Sequence, residues 1–389
     1  AVEPFLDDKM STENREQIQS FLDHIWDEML ADISESRGMT AKELDRLADT
    51  VAGMTAERAV NASLADGATT RRAFKEKISE RVHEEDVEYV NFTDYLSVAG
   101  TKKGRGLNRI AVVYAQGDII YGEGGAEIIG QEKIIKTLKK IGKKKNIKAV
   151  VLRVNSPGGS ALASELIWEE IEHLKKTKKV VVSMGNVAAS GGYYIAANAD
   201  EIIAEPTTIT GSIGVWGVLP NVNRLANRWG INAEQVATNK RAILYTPFEP
   251  LSTATREEIK VGINQVYQTF LSRVASGRGM TKEKVHEIAQ GRVWSGVEAK
   301  EIGLVDHLGG LETALGRAAT LAEIDDYRVT NYPKYDDDLE SVLGELFGGP
   351  FGSIKQQLPP ELGLWLNNAK ALLQHPANQI QTRLPYTLN

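Results

Sequence analysis

The sequence contains no cysteine in its 389 residues. That removes disulfides, thiolate nucleophiles and cysteine-rich zinc sites, and leaves the redox compartment open. No run of about 18 apolar residues occurs, the length a membrane-spanning helix needs. The opening Ala1-Val2-Glu3-Pro4-Phe5 lacks the basic-then-apolar pattern of a secretory signal. Positive charge is in deficit: the formal net charge is -6 and the pI is near 5.7, which argues against a nucleic-acid partner. Histidine is scarce. His24, His173 and His286 fall on helical patterns, His83 in an acidic linker, His307 after a turn and His375 beside Pro376. None lies in a glycine-rich strand-end motif, so a Ser-His-Asp arrangement has no support. Phosphate cradles are missing as well. No P-loop is present, and Gly122-x-Gly124-Gly125-x-Glu127 has a glutamate where the dinucleotide fingerprint needs glycine.

Two glycine-rich segments are present. Asn155-Ser156-Pro157-Gly158-Gly159 closes an apolar strand, and Ala188-Ala189-Ser190-Gly191-Gly192-Tyr193-Tyr194 opens a small-residue helix after the next strand. An oxyanion hole is built from backbone N–H groups aimed at the charge developing on a substrate carbonyl, and side chains would obstruct that approach. Gly158 and Gly191 are the natural donors. Ser190, expected on the first turn of a helix, sits where free N–H groups and the positive end of the dipole stabilise negative charge. Taken alone, Ala-Ser-Gly-Gly also suits an N-cap with close helix packing. The presence of both motifs favours a nucleophile with its oxyanion hole.

Short β-branched runs at Ile110 to Tyr114, Ile147 to Val154, Val180 to Ser183 and Glu201 to Ala204 alternate with helical stretches such as Ile128 to Ile141 and Ala161 to Leu174. This is the pattern of an α/β domain with a mostly parallel sheet, in which sites form where strands hand over to helices. A helical region follows. Thr253 to Ser276 is a long amphipathic stretch, Arg278-Gly279-Met280-Thr281 combines a glycine stop with a new N-cap, and a second helix runs to about Ala289.

The first ninety residues repeat this later region. Met10-Ser11-Thr12, Arg15-Glu16 and Ile18 match Leu251-Ser252-Thr253, Arg256-Glu257 and Ile259, and Arg37-Gly38-Met39-Thr40 matches Arg278-Gly279-Met280-Thr281, at an offset of 241. At an offset of 240, Leu64-Ala65-Asp66 matches Leu304-Val305-Asp306. Residues 1–95 are therefore expected to be the helical C-terminal part of a first repeat whose α/β core, about 130 residues, lies upstream. Residues 96–107 are expected to be a linker, 108–332 a second, catalytic repeat, and 333–389 a C-terminal extension.

Four motifs carry a family resemblance: Asn155 to Gly159, Ala188 to Tyr194, Thr210-Gly211-Ser212-Ile213-Gly214, and Gln290-Gly291-Arg292-Val293-Trp294-Ser295-Gly296 followed by Ala299 and Gly303-Leu304-Val305-Asp306. In order and spacing they resemble the bacterial signal peptide peptidase A (protease IV) family, over essentially the whole chain. The resemblance implies a crotonase-like, Clp-protease-like α/β fold, in the long form with two such domains in tandem. It also implies a serine endopeptidase with a Ser/Lys dyad, acting on short apolar peptides such as cleaved signal peptides. Ser190 corresponds to the nucleophile, Gly158 and Gly191 to the oxyanion hole, and Ser212 to the serine that supports the catalytic lysine. By the same resemblance that lysine lies two residues before the segment matching Ala1 to Phe5. Its counterpart in the second repeat, Lys240, is the in-chain candidate base. The dyad would be shared between neighbouring domains, so this stretch alone is expected to be inactive without its partner lysine. No cofactor or metal is implied. The expected setting is a homo-oligomer associated with the bacterial inner membrane, with the catalytic part on the periplasmic side.

Two alternatives stand beside this reading: a crotonase-type acyl-CoA hydratase or isomerase, which uses the same pair of backbone donors, and a catalytically incomplete assembly fragment. Other features are read as structural. The lysines from Lys139 to Lys148 complement a helix C-terminus. Asp336-Asp337-Asp338 suits a helix start, and the amphipathic stretch near Leu362 to Leu373 a packing extension.

Overall fold

The fold is described from a computed structural model, which covers residues 3, 8–84, 86–92, 95, 107–239 and 242–334, and the backbone of 381–383. The chain divides into two compact units, Ile18–Arg105 and the combination of Ala1–Gln17 with Gly106–Asn389.

The smaller unit is helical. Helix α1 spans Thr12–Arg37, α2 Ala41–Asp49, α3 Ala56–Asn61 and α4 Arg71–Val82. Thr40, Thr55 and Thr70 start α2, α3 and α4, each accepting through its hydroxyl from the N–H three residues on. These bonds satisfy donors that a helix start leaves unpaired. Gly38 ends α1 in the left-handed conformation (φ 65°), the usual helix-stopping role of glycine.

The larger unit is α/β. Its elements are β1 (Arg109–Gln116), β2 (Asp118–Ile120), β3 (Gly124–Gly125), β4 (Ile128–Gly130), α5 (Gln131–Gly142), β5 (Ile147–Ser156), β6 (Gly158–Ser160), α6 (Ala161–Lys175) and β7 (Lys179–Ala189). Then follow α7 (Gly191–Ala196), β8 (Glu201–Ala204), β9 (Ile209–Gly211), α8 (Asn223–Arg228), α9 (Thr253–Arg278), α10 (Lys282–Ile288), β10 (Val293–Trp294), α11 (Gly296–Glu301), β11 (His307–Leu308), α12 (Leu311–Leu321) and β12 (Arg328–Tyr332), with β13 at Gln381–Arg383. The main sheet runs β10-β9-β7-β5-β1-β12, with β8 beside β7 and β11 beside β8. All its pairings are parallel except β9 with β10.

Parallel strands buried on both faces read as nearly continuous apolar runs, and β1, β5 and β7 do. One face, with Ile110, Val112, Ala149, Val151 and Val181, packs under α12. The other, with Val113, Val150, Leu152, Val182 and Met184, packs against residues of α5, α6, α7 and α9. Helix α9 has the length of α1 and the same kind of stop, Gly279 at φ 62°. Thr281 then caps α10 as Thr40 caps α2, so the repeated sequence builds the same local elements twice. Behind that stop, Arg278 donates to both carboxylate oxygens of Asp306, at 3.0 and 2.6 Å, and to the Gly303 carbonyl, while Asp306 accepts from the Ile202 N–H. This clamp fixes the α9–α10 segment to strand β8.

The expected helix from Ile128 starts later than the periodicity suggests. Residues Ile128–Gly130 form β4, which pairs with β2 and β3 in a second, five-stranded sheet. A side chain at Gly130 would lie 2.0 Å from the Glu123 carbonyl, so strand contact overrides helical periodicity there. The Asp336 to Asp338 run, the Leu362 to Leu373 stretch, and Lys240 lie outside the described residues.

Candidate active site

Strand register assembles the site. Ser156 pairs with Ala188, Ala188 with Thr210, and Ala189 with Gly211. Neighbouring parallel strands β5, β7 and β9 thus end side by side, bringing Ser156, Ser190 and Ser212 to one edge of the sheet, as expected for an α/β fold.

Ser190 occupies the elbow between β7 and α7. It is fully buried, and its backbone stands at φ 53° and ψ -116°. Positive φ is costly for a residue with a Cβ, by about 1–3 kcal/mol, and such strain clusters at functional sites. Its N–H donates to the Gly211 carbonyl at 2.8 Å, and its carbonyl accepts from the Tyr194 N–H at 2.8 Å. Both ends of the elbow are therefore pinned. The hydroxyl is buried and has no hydrogen-bond partner among the described residues, a costly state for a polar group unless it has a chemical use. Ser190 stands at the N-cap and not inside the first turn, and its side chain makes no capping bond. The hydroxyl is not used up as a cap.

Gly158 and Gly191 flank this position. Gly158 opens β6 at φ 105°, a conformation that favours glycine, and its N–H donates to Ser156 Oγ at 3.1 Å. Gly191 begins α7. Gly192 serves close packing: a Cβ there would fall 2.7 Å from the Ser156 carbonyl oxygen and 3.2 Å from Ser156 Cβ. Only a hydrogen at Gly192 lets α7 lie against the turn that carries Gly158.

Ser212 also adopts positive φ, 49°. Its N–H donates to the Arg292 carbonyl at 2.7 Å, and its side chain borders a cavity of about 340 Å³. Trp216, Lys260, Tyr267, His286 and Gln290 line the same cavity. Tyr267 hydroxyl and His286 Nδ1 are 2.9 Å apart, and burial raises the Tyr267 pKa. The sequence reading takes His286 as an ordinary helical histidine and does not single out Tyr267 or Trp216. Trp216 follows Ser212 by four residues, whereas Tyr267 and His286 reach the cavity because α9 and α10 fold back over the end of β9, a contact with no local sequence signal.

A polar cluster braces α7 from behind. Tyr194 donates its hydroxyl to Glu165, Arg273 of α9 binds the same carboxylate through two nitrogens, and the Arg273 guanidinium stacks 4.0 Å above the Trp168 ring. Burial, then the bond to Glu165, pushes the Tyr194 pKa well above its usual value. Tyr193, fully buried beside it, donates to the Leu304 carbonyl at 2.8 Å. Among the described residues, no cluster of His, Asp or Glu could hold a metal ion.

Comparison with known proteins assigns the family. The model of peptidase family S49 matches residues 1–84 and 172–325, and the Clp protease model matches residues 102–209. Protease 4 of Haemophilus influenzae is 35% identical over 380 residues, covering 94% of this chain and 62% of that protein. Protease 4 of Salmonella typhi is 34% identical over 372 residues, covering 92% and 59%. The chloroplastic serine protease SPPA of Arabidopsis thaliana is 34% identical over 326 residues, covering 81% and 48%. The chain thus spans about 60% of the length of the first two relatives. A solved ClpP1 variant from Listeria monocytogenes overlays 52% of this chain and 94% of its own at 18% identity and a TM-score of 0.36, too loose to carry an argument. The acyl-CoA hydratase alternative finds no support among these matches. The chain belongs to peptidase family S49, a family of serine peptidases, and its α/β domain is Clp-protease-like.

Proposed function

We propose that this chain supplies the nucleophile and oxyanion hole of a Ser/Lys peptidase that hydrolyses short apolar peptides, such as the remnants of cleaved signal peptides. The observation that carries the reading is the buried, unpartnered Ser190 hydroxyl in a strained elbow between two glycine turns. Ser190 Oγ attacks the scissile carbonyl and passes its proton to a neutral lysine. The N–H groups of Gly158 and Gly191 receive the oxyanion. For Gly158 this exchanges the bond to Ser156 Oγ for one to the substrate. Collapse of the tetrahedral adduct expels the amine, which takes the proton back from the lysine. Water activated by the same lysine then adds to the acyl-enzyme and releases the acid and Ser190.

The lysine reaches Ser190 past Ser212, whose hydroxyl holds and orients the amine, and comes from a neighbouring domain or chain; Lys240 is the in-chain candidate. A lysine beside buried, largely apolar walls is neutral more readily than one in water. The proposal includes the division of the chain at residues 95 and 332, assembly into a homo-oligomer, and work at a bacterial membrane on its periplasmic side. Among the described residues no helix is long and apolar enough to cross a membrane, so the anchoring element would be another segment.

The test is labelling of Ser190 by a fluorophosphonate probe, with hydrolysis of an apolar peptide, in this chain and in a version extended upstream. Labelling only in the extended version, lost in Ser190→Ala and kept in Lys240→Ala, is the expected result. Equal activity in both versions, abolished by Lys240→Ala, would make Lys240 the base.

A further inference from the structure

The motif Gln290-Gly291-Arg292-Val293-Trp294 takes no part in the chemistry above, yet it folds against the turn that carries Ser212. Strands β9 and β10 pair there antiparallel, Thr210 opposite Trp294 and Gly211 opposite Val293. At the end of the strands two tight turns face each other, Gly211 and Ser212 at φ 76° and 49°, Gln290 and Gly291 at φ 58° and 80°. The Ser212 N–H donates to the Arg292 carbonyl at 2.7 Å, and the Gly291 N–H to the Ile213 carbonyl at 3.0 Å. A Cβ on Gly214 would stand 2.9 Å from Gly291 Cα, so the turns touch as well as bond. Both border the cavity beside Ser212, and packing does not support them from that side.

The outer turn is fastened by a side chain of α9. Tyr267 is half-buried and lines the same cavity. Its hydroxyl accepts from the Gln290 N–H at 3.3 Å and lies 2.9 Å from His286 Nδ1. With the imidazole neutral and Nδ1 unprotonated, the hydroxyl donates to His286 while it accepts from Gln290, so one oxygen is held from two sides. A run of hydrogen bonds thus leads from Tyr267 through the Gln290–Arg292 turn to Ser212, and the Gly211 carbonyl beside it holds the Ser190 N–H. We propose that Tyr267 is a positioning residue for proton transfer: it holds the Gln290–Arg292 turn, and that turn sets where Ser212 presents its hydroxyl to the lysine. The inference rests on the peptidase reading above and extends the support of the lysine to a residue that does not touch the reacting atoms.

The experiment is a double-mutant cycle in the version extended upstream, read as kcat and KM for hydrolysis of an apolar peptide by the parent, Tyr267→Phe, Ser212→Ala and the double variant. Phenylalanine keeps the ring and removes one oxygen, and far-UV circular dichroism checks that each protein is folded. Loss of one neutral hydrogen bond corresponds to about a fivefold change in rate. Tyr267→Phe is therefore expected to lower kcat about fivefold with KM unchanged, because proton transfer, not peptide binding, depends on Ser212. In the Ser212→Ala background the same change is expected to cost nothing further. A merely structural Tyr267 would lower kcat by the same factor in both backgrounds. That result, an unchanged kcat in Tyr267→Phe, or a rise in KM alone overturns the positioning role and leaves Ser190 as the nucleophile. Ser212→Ala at the parent rate removes Ser212 from the proton path and this inference with it. Neither hydrolysis nor fluorophosphonate labelling by the parent overturns the peptidase reading, and the positioning role falls with it.

Discussion

Gly192→Ala sets two effects of opposite sign against each other. Gly192 is the second residue of the six-residue helix α7, and glycine-to-alanine inside a helix ordinarily stabilises by up to about 1 kcal/mol. Here the added Cβ would stand 2.7 Å from the Ser156 carbonyl oxygen and 3.2 Å from Ser156 Cβ. That is about 0.5–1 Å inside a comfortable contact, and the nearest atom is backbone, which no rotamer change can move. Overpacking of this kind costs about 1–3 kcal/mol, so the clash outweighs the helical gain. The relief available is for α7 to move away from the Ser156–Pro157 turn, carrying the Gly191 N–H away from that of Gly158. A displacement near 1 Å in a reacting constellation costs on the order of 100-fold in rate. The expected outcome, measured in the version extended upstream that carries the partner lysine, is a lower urea midpoint together with fluorophosphonate labelling of Ser190 slowed about 100-fold. Gly316→Ala is the control: Gly316 lies in α12 with nothing within 4 Å of an added Cβ, and it should stabilise by up to about 1 kcal/mol. If Gly192→Ala were as stable as the parent and labelled at the parent rate, the role given to the close approach of α7 would be refuted.

Three further outcomes follow from the site and its supports. Ser190→Gly is expected to raise the melting temperature while abolishing labelling, because relief of about 1–3 kcal/mol of backbone strain exceeds glycine's entropic penalty of about 0.5–1 kcal/mol; Ser190→Ala keeps the positive φ and gains nothing. Arg278→Ala leaves Asp306, which the Ile202 N–H also binds, without its nearly buried counter-charge. Because Asp306 is itself partly solvated, the variant should destabilise by about 1.5–3 kcal/mol in urea titrations, and a loss below about 0.5 kcal/mol would show that the clamp is dispensable. Tyr193 and Tyr194 have raised pKa values, so above the unfolded value near 10 the unfolded chain releases protons that the folded chain keeps. Stability is therefore complete below about pH 10 and falls above it, by up to about 1.4 kcal/mol per pH unit for each tyrosine. Tryptophan fluorescence in alkaline titrations should show Tyr194→Phe with a shallower fall than the parent, and identical slopes would contradict the assignment.

Much of this protein is legible in one dimension. The β-branched runs near 110, 147, 180 and 201 mark strands because parallel strands covered on both faces tolerate little else. Glycine stops followed by threonine caps mark the helix boundaries because backbone groups at helix ends need local partners. The two glycine motifs single out Ser190, Gly158 and Gly191, since turns that bring backbone N–H groups close to a ligand require glycine. The repeat at offsets of 240 and 241 is likewise a property of sequence alone. Tertiary structure decided what depends on contacts remote in the chain. Residues Ile128–Gly130 became a strand because β2 and β3 lie beside them. The Ser190 N–H is held by the Gly211 carbonyl of the neighbouring strand, which pins the elbow at positive φ. Tyr267 and His286 came to border the cavity beside Ser212 because α9 and α10 return across the sheet edge. The pairing of Gln381–Arg383 with β6 joins residues more than 200 positions apart. Local periodicity records which face of an element is buried, but it carries no information about which distant segment covers that face.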